Sequence, residues 1–267
     1  MNKKLFLEKI STNFPFSFTK EQEKIINELS DYILSTSTRN IFLLKGYAGT
    51  GKTTLISALV KSLSSVNKNP SLLAPTGRAA KVLANYAKKS ASTIHRKIYW
   101  INTNKQGNTY IKLKENTHTN TIFIVDEASM IPKSSDKGFA NRSLLDDLIE
   151  YVYDGIGCKL VLIGDTAQLP PVHLDISPAL DEALLTINYN KEIICASLVE
   201  VVRQTKSSTI LLNATRIRKQ ISNRQFHLPQ LETSEDVIRI QSGDELQEYL
   251  EDNYSQSGIA NTIVLCR

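Results

Sequence analysis

The stretch "IFLLKGYAGTGKTT", residues 41–54, runs an apolar segment into a glycine-rich loop and then into a helical pattern. It matches G-x-x-x-x-G-K-[ST] in the order its chemistry requires: strand, loop, helix. Gly46, Gly49 and Gly51 allow the backbone to curl, so that N–H groups around Ala48 and Thr50 converge on phosphate oxygens. The helix opening at Lys52, Thr53 and Thr54 adds the positive end of its dipole. Lys52 is placed to reach β- and γ-phosphates and the Thr53 hydroxyl to ligate Mg²⁺, so residues 46–54 form a candidate ATP site.

Working outward, short apolar runs alternate with helical patterns. "IFLLK" (41–45), "SLLA" (71–74), "TIFIV" (121–125), "KLVLIG" (159–164) and "EIICASL" (192–198) have the character of strands buried on both faces. Helices are predicted over residues 53–65 and 142–153, the second with Leu144, Leu145, Leu148, Ile149 and Val152 on one side. Such alternation implies an α/β fold with a parallel central sheet flanked by helices.

Two later strands end in chemistry. "TIFIVDEASM" brings Asp126 and Glu127 to the C-terminal end of a strand, the same sheet edge as the glycine loop. There Asp126 can hold Mg²⁺ through water and Glu127 can act as general base on the attacking water. A carboxylate pair after a strand also serves as plain helix N-terminal charge. "VLIGDTAQLPPV" (161–172) delivers Asp165 and Gln168 to that edge, and Pro170 with Pro171 stiffens the loop. An amide such as Gln168 can contact the γ-phosphate or the attacking water. A rigid loop with a solvent-facing Gln is the plainer alternative.

Composition bounds the rest. The chain of 267 residues is 41% hydrophobic, enough for a substantial core. No apolar run approaches the roughly 20 residues of a membrane span, and the start "MNKKLFLEKI" has no long apolar stretch, so a cytoplasmic protein without membrane contact is expected. Cys158, Cys195 and Cys266 are scattered, as structural thiols would be. Residues 1–120 carry 19 Lys/Arg against 6 Asp/Glu, a balance of +13, while residues 121–267 carry 13 against 21, a balance of −8. The basic half suits a polyanionic partner.

Taken together, "GYAGTGKTT", "LLAPTGRAAKVL", "STIHR", "VDEASM", "GDTAQLPPV" and "EVVRQT" resemble, in order, the motifs of superfamily 1B DNA helicases, particularly the RecD-like group related to the exonuclease V alpha subunit. The resemblance covers about residues 15–205. It implies a RecA-like P-loop NTPase domain that couples ATP hydrolysis to movement on single-stranded DNA, usually 5′ to 3′. It also implies that Gln22 reads adenine, that Gln168 senses the γ-phosphate, and that Arg203 contacts the γ-phosphate and couples it to a second domain. Gln22 has a second reading as the N3 partner of a capping box with Thr19. For the DNA strand, the resemblance points to Thr76, Gly77, Arg78 and Lys81, and to Ser92, Thr93, His95 and Arg96. An AAA+ remodeller or nucleotide kinase leaves "GDTAQLPPV" and "RQT" unexplained, and a non-catalytic nucleotide- or DNA-binding module leaves Lys52, Asp126 and Glu127 unexplained.

Residues 98–118 break the α/β pattern. Tyr99, Ile101, Tyr110, Ile111 and Leu113 around "KQGN" predict a Lys-rich β-hairpin, placed as related helicases place a pin that helps part the duplex. Residues 1–205 are thus expected to form the ATPase domain. In residues 206–267 we expect a helix near 210–221, a weak strand "DVIRIQ" (236–241), an acidic helix near 243–254 and a strand-like "TIVLCR". These would be a linker and the start of an incomplete second RecA-like domain. A motor that closes its site between two such domains would, in this form, bind Mg–ATP weakly, hydrolyse it slowly if at all, and not translocate.

Overall fold

The computed structural model describes residues 2–103, 109–132, 143–171, 174–202, 208–225 and 227–264. Two compact units divide at Arg203 and Gln204.

In the first unit the elements run α1 (Lys3–Asn13), α2 (Lys20–Leu34), β1 (Asn40–Gly46), α3 (Lys52–Ser62), β2 (Asn69–Ala74), α4 (Gly77–Ala87), β3 (Ala91–Thr93), α5 (Ile94–Ile98), β4 (Tyr99–Thr103), β5 (Thr109–Leu113), β6 (Thr121–Val125), α6 (Leu144–Asp154), β7 (Lys159–Gly164), α7 (Glu182–Tyr189) and β8 (Glu192–Leu198). Six strands form one parallel sheet in the order β3-β2-β6-β7-β1-β8. All five apolar runs read from the sequence are in it. The sixth, β3, is only three residues long and half-buried, too short for periodicity to reveal.

The pleat explains why these runs are apolar throughout. Successive side chains alternate faces, so Phe42, Leu44, Ile122, Ile124, Val161 and Ile163 pack under α1 to α4 beside Phe6, Leu29, Leu55 and Leu83. Their neighbours Ile41, Leu43, Phe123, Val125, Leu160 and Leu162 pack on the other face against α5, α6 and α7 through Ile98, Leu148, Val152 and Leu185. Each such side chain contributes roughly 1.5–3 kcal/mol by leaving water, which is why the middle of the sheet admits so few polar groups. At the opposite edge from the glycine loop, buried Tyr32 donates its hydroxyl to the Leu160 carbonyl (2.7 Å) and accepts from the Leu160 N–H (3.1 Å).

The hairpin is present as β4 and β5, antiparallel, with Tyr99 opposite Leu113 and Trp100 opposite Lys112. Among the described residues no helix is long and apolar enough to cross a membrane. Cys158 is buried and Cys195 half-buried, both as free thiols; Cys266 lies outside the described residues.

In the second unit the two helices are α8 (Thr209–Ser222) and α9 (Gly243–Ser257), close to the expected spans. The expected strand over residues 236–241 is not there. One isolated bridge joins Ser234 to Val237, and Asp236 instead accepts from the Thr209 and Ile210 N–H groups at the start of α8. Val237, Ile238 and Ile240 have strand-like residue types, but a strand needs a partner and this unit offers no sheet among its described residues. Residues 262–264 likewise have no regular structure, and 265–267 lie outside the described residues.

Candidate functional site

Sheet order brings the site together. β7 lies between β1 and β6, so the loop after β7 emerges between the glycine loop after β1 and the acidic pair after β6. These three loops and the N-terminal segment line a cavity of about 660 Å³ that includes Gln22, Ala48, Gly49, Gly51, Lys52, Thr53, Thr54, Asp126, Glu127, Asp165 and Gln168. Gly46 and Thr50 belong to the same loop just behind it.

The glycine loop is built so that side chains would obstruct it. Gly49 (φ 83°) and Gly51 (φ 87°) occupy the left-handed region, where only glycine sits without strain. A Cβ at Gly46 would lie 2.9 Å from Lys52 Cδ and 3.0 Å from Leu198 Cβ. Thr50 is buried, and its hydroxyl donates to the Tyr47 carbonyl (2.8 Å). The Lys52 ammonium donates to the carbonyls of Gly46 (2.5 Å) and Tyr47 (2.7 Å), which hold it at the mouth of the loop. Cradle, cation and α3 N-terminus therefore fit a polyphosphate.

Gln22 has the capping-box geometry and also lines the cavity. It is 1% exposed and completes a capping box with Thr19, its side-chain oxygen accepting from the Thr19 N–H (3.2 Å). Its amide donates to the Thr50 carbonyl (3.1 Å), so the same residue ties α2 to the glycine loop.

Asp126 and Glu127 have different surroundings despite adjacency. Burial, and then the Glu127 carboxylate, push Asp126 up to about 6, against the Glu127 N–H and Lys52 ammonium that pull it down. A cation bound there would favour the ionised form, as expected of a carboxylate held in reserve for a metal. Glu127 adopts φ 54°, a left-handed conformation that costs a non-glycine residue about 1–3 kcal/mol and concentrates at functional positions. The turn that follows, Ala128–Met130, is pinned by Ser177, whose buried hydroxyl lies 3.0 Å from the Ala128 carbonyl and 2.8 Å from that of Ile131.

Gln168 is tied to the acidic loop. Its side-chain oxygen accepts from the Ser129 hydroxyl at 2.7 Å, and the residue lines the cavity. Buried Asp165 shapes the loop by accepting from the Ala167 N–H (2.8 Å), and its carbonyl accepts from the Gln168 N–H (3.2 Å).

Sequence reasoning missed the strap after β8. Tyr47 N–H donates to the Leu198 carbonyl, Val202 N–H to the Gly49 carbonyl (3.0 Å), and the N–H groups of Val199 and Glu200 both donate to the Glu21 carboxylate (2.9 and 3.0 Å). The chain is thus held on the glycine loop up to Val202. Arg203, the next residue, lies outside the described residues.

The residues expected to touch a DNA strand gather at the C-terminal ends of β2 and β3, where Ala74 is opposite Thr93. Thr76 caps α4 by accepting from Ala79 N–H, and Thr93 caps α5 by accepting from Arg96 N–H, both at 3.2 Å. Gly77, Arg78 and Lys81 are exposed on the first turns of α4. The His95 ring is half-buried and packs 5.9 Å from the Tyr99 ring, centroid to centroid. Capping was a role the sequence pattern T-x-x-x could have suggested for both threonines.

The AAA domain family matches residues 17–244. The ATP-dependent RecD2 DNA helicase of Deinococcus radiodurans is 29% identical over 194 residues, 72% of this chain and 23% of that protein. The ATP-dependent DNA helicase dda of Enterobacteria phage T4 is 30% identical over 178 residues, 66% of this chain and 37% of its own length. The chain therefore spans a quarter to a little over a third of these relatives. A crystal structure of Pif1 helicase from Bacteroides, in complex with ADP-AlF3 and ssDNA, is 19% identical with a TM-score of 0.48, covering 91% of this chain and 58% of that one. The chain belongs to this AAA domain family, and its nucleotide-binding core is a superfamily 1B helicase domain.

Proposed function

We propose that this chain is the ATP-hydrolysing motor domain of a DNA helicase, acting on single-stranded DNA in the whole protein. The observation that carries the reading is the hydrogen bond from Ser129 to Gln168, because it links the loop after the acidic pair to the loop after β7 inside the cavity that the glycine loop completes.

In this reading the glycine-loop N–H groups and Lys52 hold the β- and γ-phosphates of ATP. Mg²⁺, held by the Thr53 hydroxyl and by Asp126 through water, would neutralise phosphate charge as the terminal phosphoryl group departs. Glu127 takes the proton of the water whose oxygen attacks the γ-phosphorus, while the bond to the ADP oxygen breaks. Gln168 donates its NH₂ to the γ-phosphate or to that water. Gln22, which lines the cavity, would read adenine, and Arg203 would follow directly on the strap that ends at Val202. Names given to the relatives, helicases dependent on ATP, support the substrate, and the basic balance of residues 1–120 supports a nucleic-acid partner. Thr76, Gly77, Arg78, Lys81, Thr93 and His95 would meet the strand's phosphates at the neighbouring end of the sheet. The N-terminal ATPase domain would comprise residues 1–205, with 206–267 a linker and the start of an incomplete second RecA-like domain.

Movement along DNA needs a second body that closes and opens on the first. The second unit has helices but no sheet among its described residues, so we expect these 267 residues to turn over ATP slowly and not to unwind a duplex. Steady-state turnover with and without single-stranded DNA, beside Glu127→Gln, tests the proposal. Turnover that rises with DNA and disappears in the variant is the expected result. A folded chain that binds ATP but shows no turnover, alone or with DNA, would instead favour a non-catalytic nucleotide-binding module.

A further inference from the structure

The hairpin has two faces of opposite character. Tyr99, Ile111 and Leu113 pack into the core, whereas Trp100, Lys112 and Lys114, one residue out of phase, face away. Beside this second face the sheet edge is short of a partner. β3 covers β2 only from Leu72 to Ala74, and residues 69–71 pair only with β6 among the described residues. A groove of about 1170 Å³ lies between hairpin and edge.

Its charge is one-sided. Arg96, Lys97, Lys112 and Lys114 line it against a single carboxylate, Glu115, among the described residues. The Lys114 ammonium donates to the Arg96 carbonyl (2.8 Å) and stands 4.7 Å from the centre of the Trp100 ring, which is 59% exposed. Crowding is already felt: burial and then Lys114 lower the proton affinity of Lys97, and burial and then Lys97 lower that of His118. An anion in the groove would relieve both. A small anion has no use for an exposed indole, whereas a nucleic-acid strand presents phosphates and unstacked bases together.

We propose that this groove is a second site for single-stranded nucleic acid, with phosphates met by Lys97, Lys112 and Lys114 and a base stacked on Trp100. It shares Ser92 and Arg96 with the contacts expected after β3 but adds the hairpin's Lys112, Lys114 and Trp100, which none of those contacts include, and it rests on the motor reading above only in taking nucleic acid as the partner. Trp100 is the one tryptophan of the chain, so its emission reports this groove alone. The test titrates the 267-residue protein with a short dye-labelled oligodeoxythymidine, following dye anisotropy and tryptophan emission in parallel over a range of salt. Saturable quenching at the concentrations that raise anisotropy is expected. Lys112→Ala with Lys114→Ala should weaken binding on the order of tenfold at low salt and reduce the slope of log affinity against log salt by about 1.4, while the Lys→Arg pair keeps wild-type binding. Trp100→Ala should weaken binding by about tenfold and Trp100→Phe by less. Binding seen by anisotropy with unchanged tryptophan emission and a wild-type lysine variant would overturn the groove and leave the motor reading intact. No binding by anisotropy at any salt would overturn both. A duplex that quenches the indole more tightly than the single strand would overturn the single-strand assignment.

Discussion

The P-loop cleft and the hairpin groove both border the parallel sheet but are built in different ways. The cleft collects residues at the C-terminal ends of β1, β6 and β7, where the chain leaves the sheet and its backbone N–H groups turn outward. The groove collects every second residue of a hairpin and the half of β2 that β3 does not cover among the described residues. In the cleft, shape is set by positions such as Gly46 and Gly51 where a Cβ would be crowded or strained, and charge is partly buried, as the raised Asp126 shows. In the groove, cations sit on flexible stems near water. Contacts of the first kind are costly to disturb and weakly screened; those of the second are individually small and fade with salt.

Substitutions in the cleft should therefore have the larger effects, and four of them rank that expectation. Glu127→Gln should lower turnover by about 10²–10⁴-fold with nucleotide affinity retained, measured by single-turnover hydrolysis beside a nucleotide titration. If salt alone produced a comparable loss, the contrast between the two cavities would fail.

Next comes Asp126→Asn, through stability. Asp126 is raised from 3.8 to about 6 on folding, so the folded state binds its proton more tightly than the unfolded one. Its ionisation therefore costs stability. That penalty is complete above about pH 6 and disappears below about 3.8. The variant should be more stable than wild type near neutrality by up to about 3 kcal/mol, the difference shrinking as pH falls through that window. Urea melts across the window check it, and a pH-independent difference would refute the assigned cause.

Gly51→Ala is expected to cost about 1–2 kcal/mol from the left-handed backbone alone. Its Cβ would also lie 2.8 Å from the Gln22 amide nitrogen, so nucleotide affinity should fall as the Gln22 bond to Thr50 is displaced. Thermal melts and a nucleotide titration on the same sample separate the two losses. The smallest effect belongs to Ser129→Ala, which removes a bond worth about 1 kcal/mol and should reduce kcat by roughly fivefold with KM unchanged. Combining it with Gln168→Ala should add nothing further to kcat, because both act through one amide.

How far the site could be read in advance depended on whether its parts were contiguous. The glycine loop, the Asp126–Glu127 pair and "GDTAQ" each carry their signal within a few residues, because a strand must be apolar and the chemistry follows where it ends. Helix capping by Thr76 and Thr93 was equally local but was overshadowed by the strand-contact reading. Residues 236–241 misled for the opposite reason: residue types suited to a strand were present, but strand formation depends on a partner elsewhere, and Asp236 found a use at the start of α8.

From sequence alone came the phosphate loop, the acidic pair, five of the six sheet strands and the hairpin, since each rests on local spacing and on the burial of apolar runs. Tertiary structure decided what no spacing encodes. It placed β7 between β1 and β6 so that Gln168 meets Ser129, brought Glu21 and Gly49 to the strap after β8, and, among the described residues, left half of β2 uncovered beside a basic hairpin face. Those contacts join residues tens to well over a hundred positions apart. Their partners are chosen by strand order and packing, which only the folded sheet supplies.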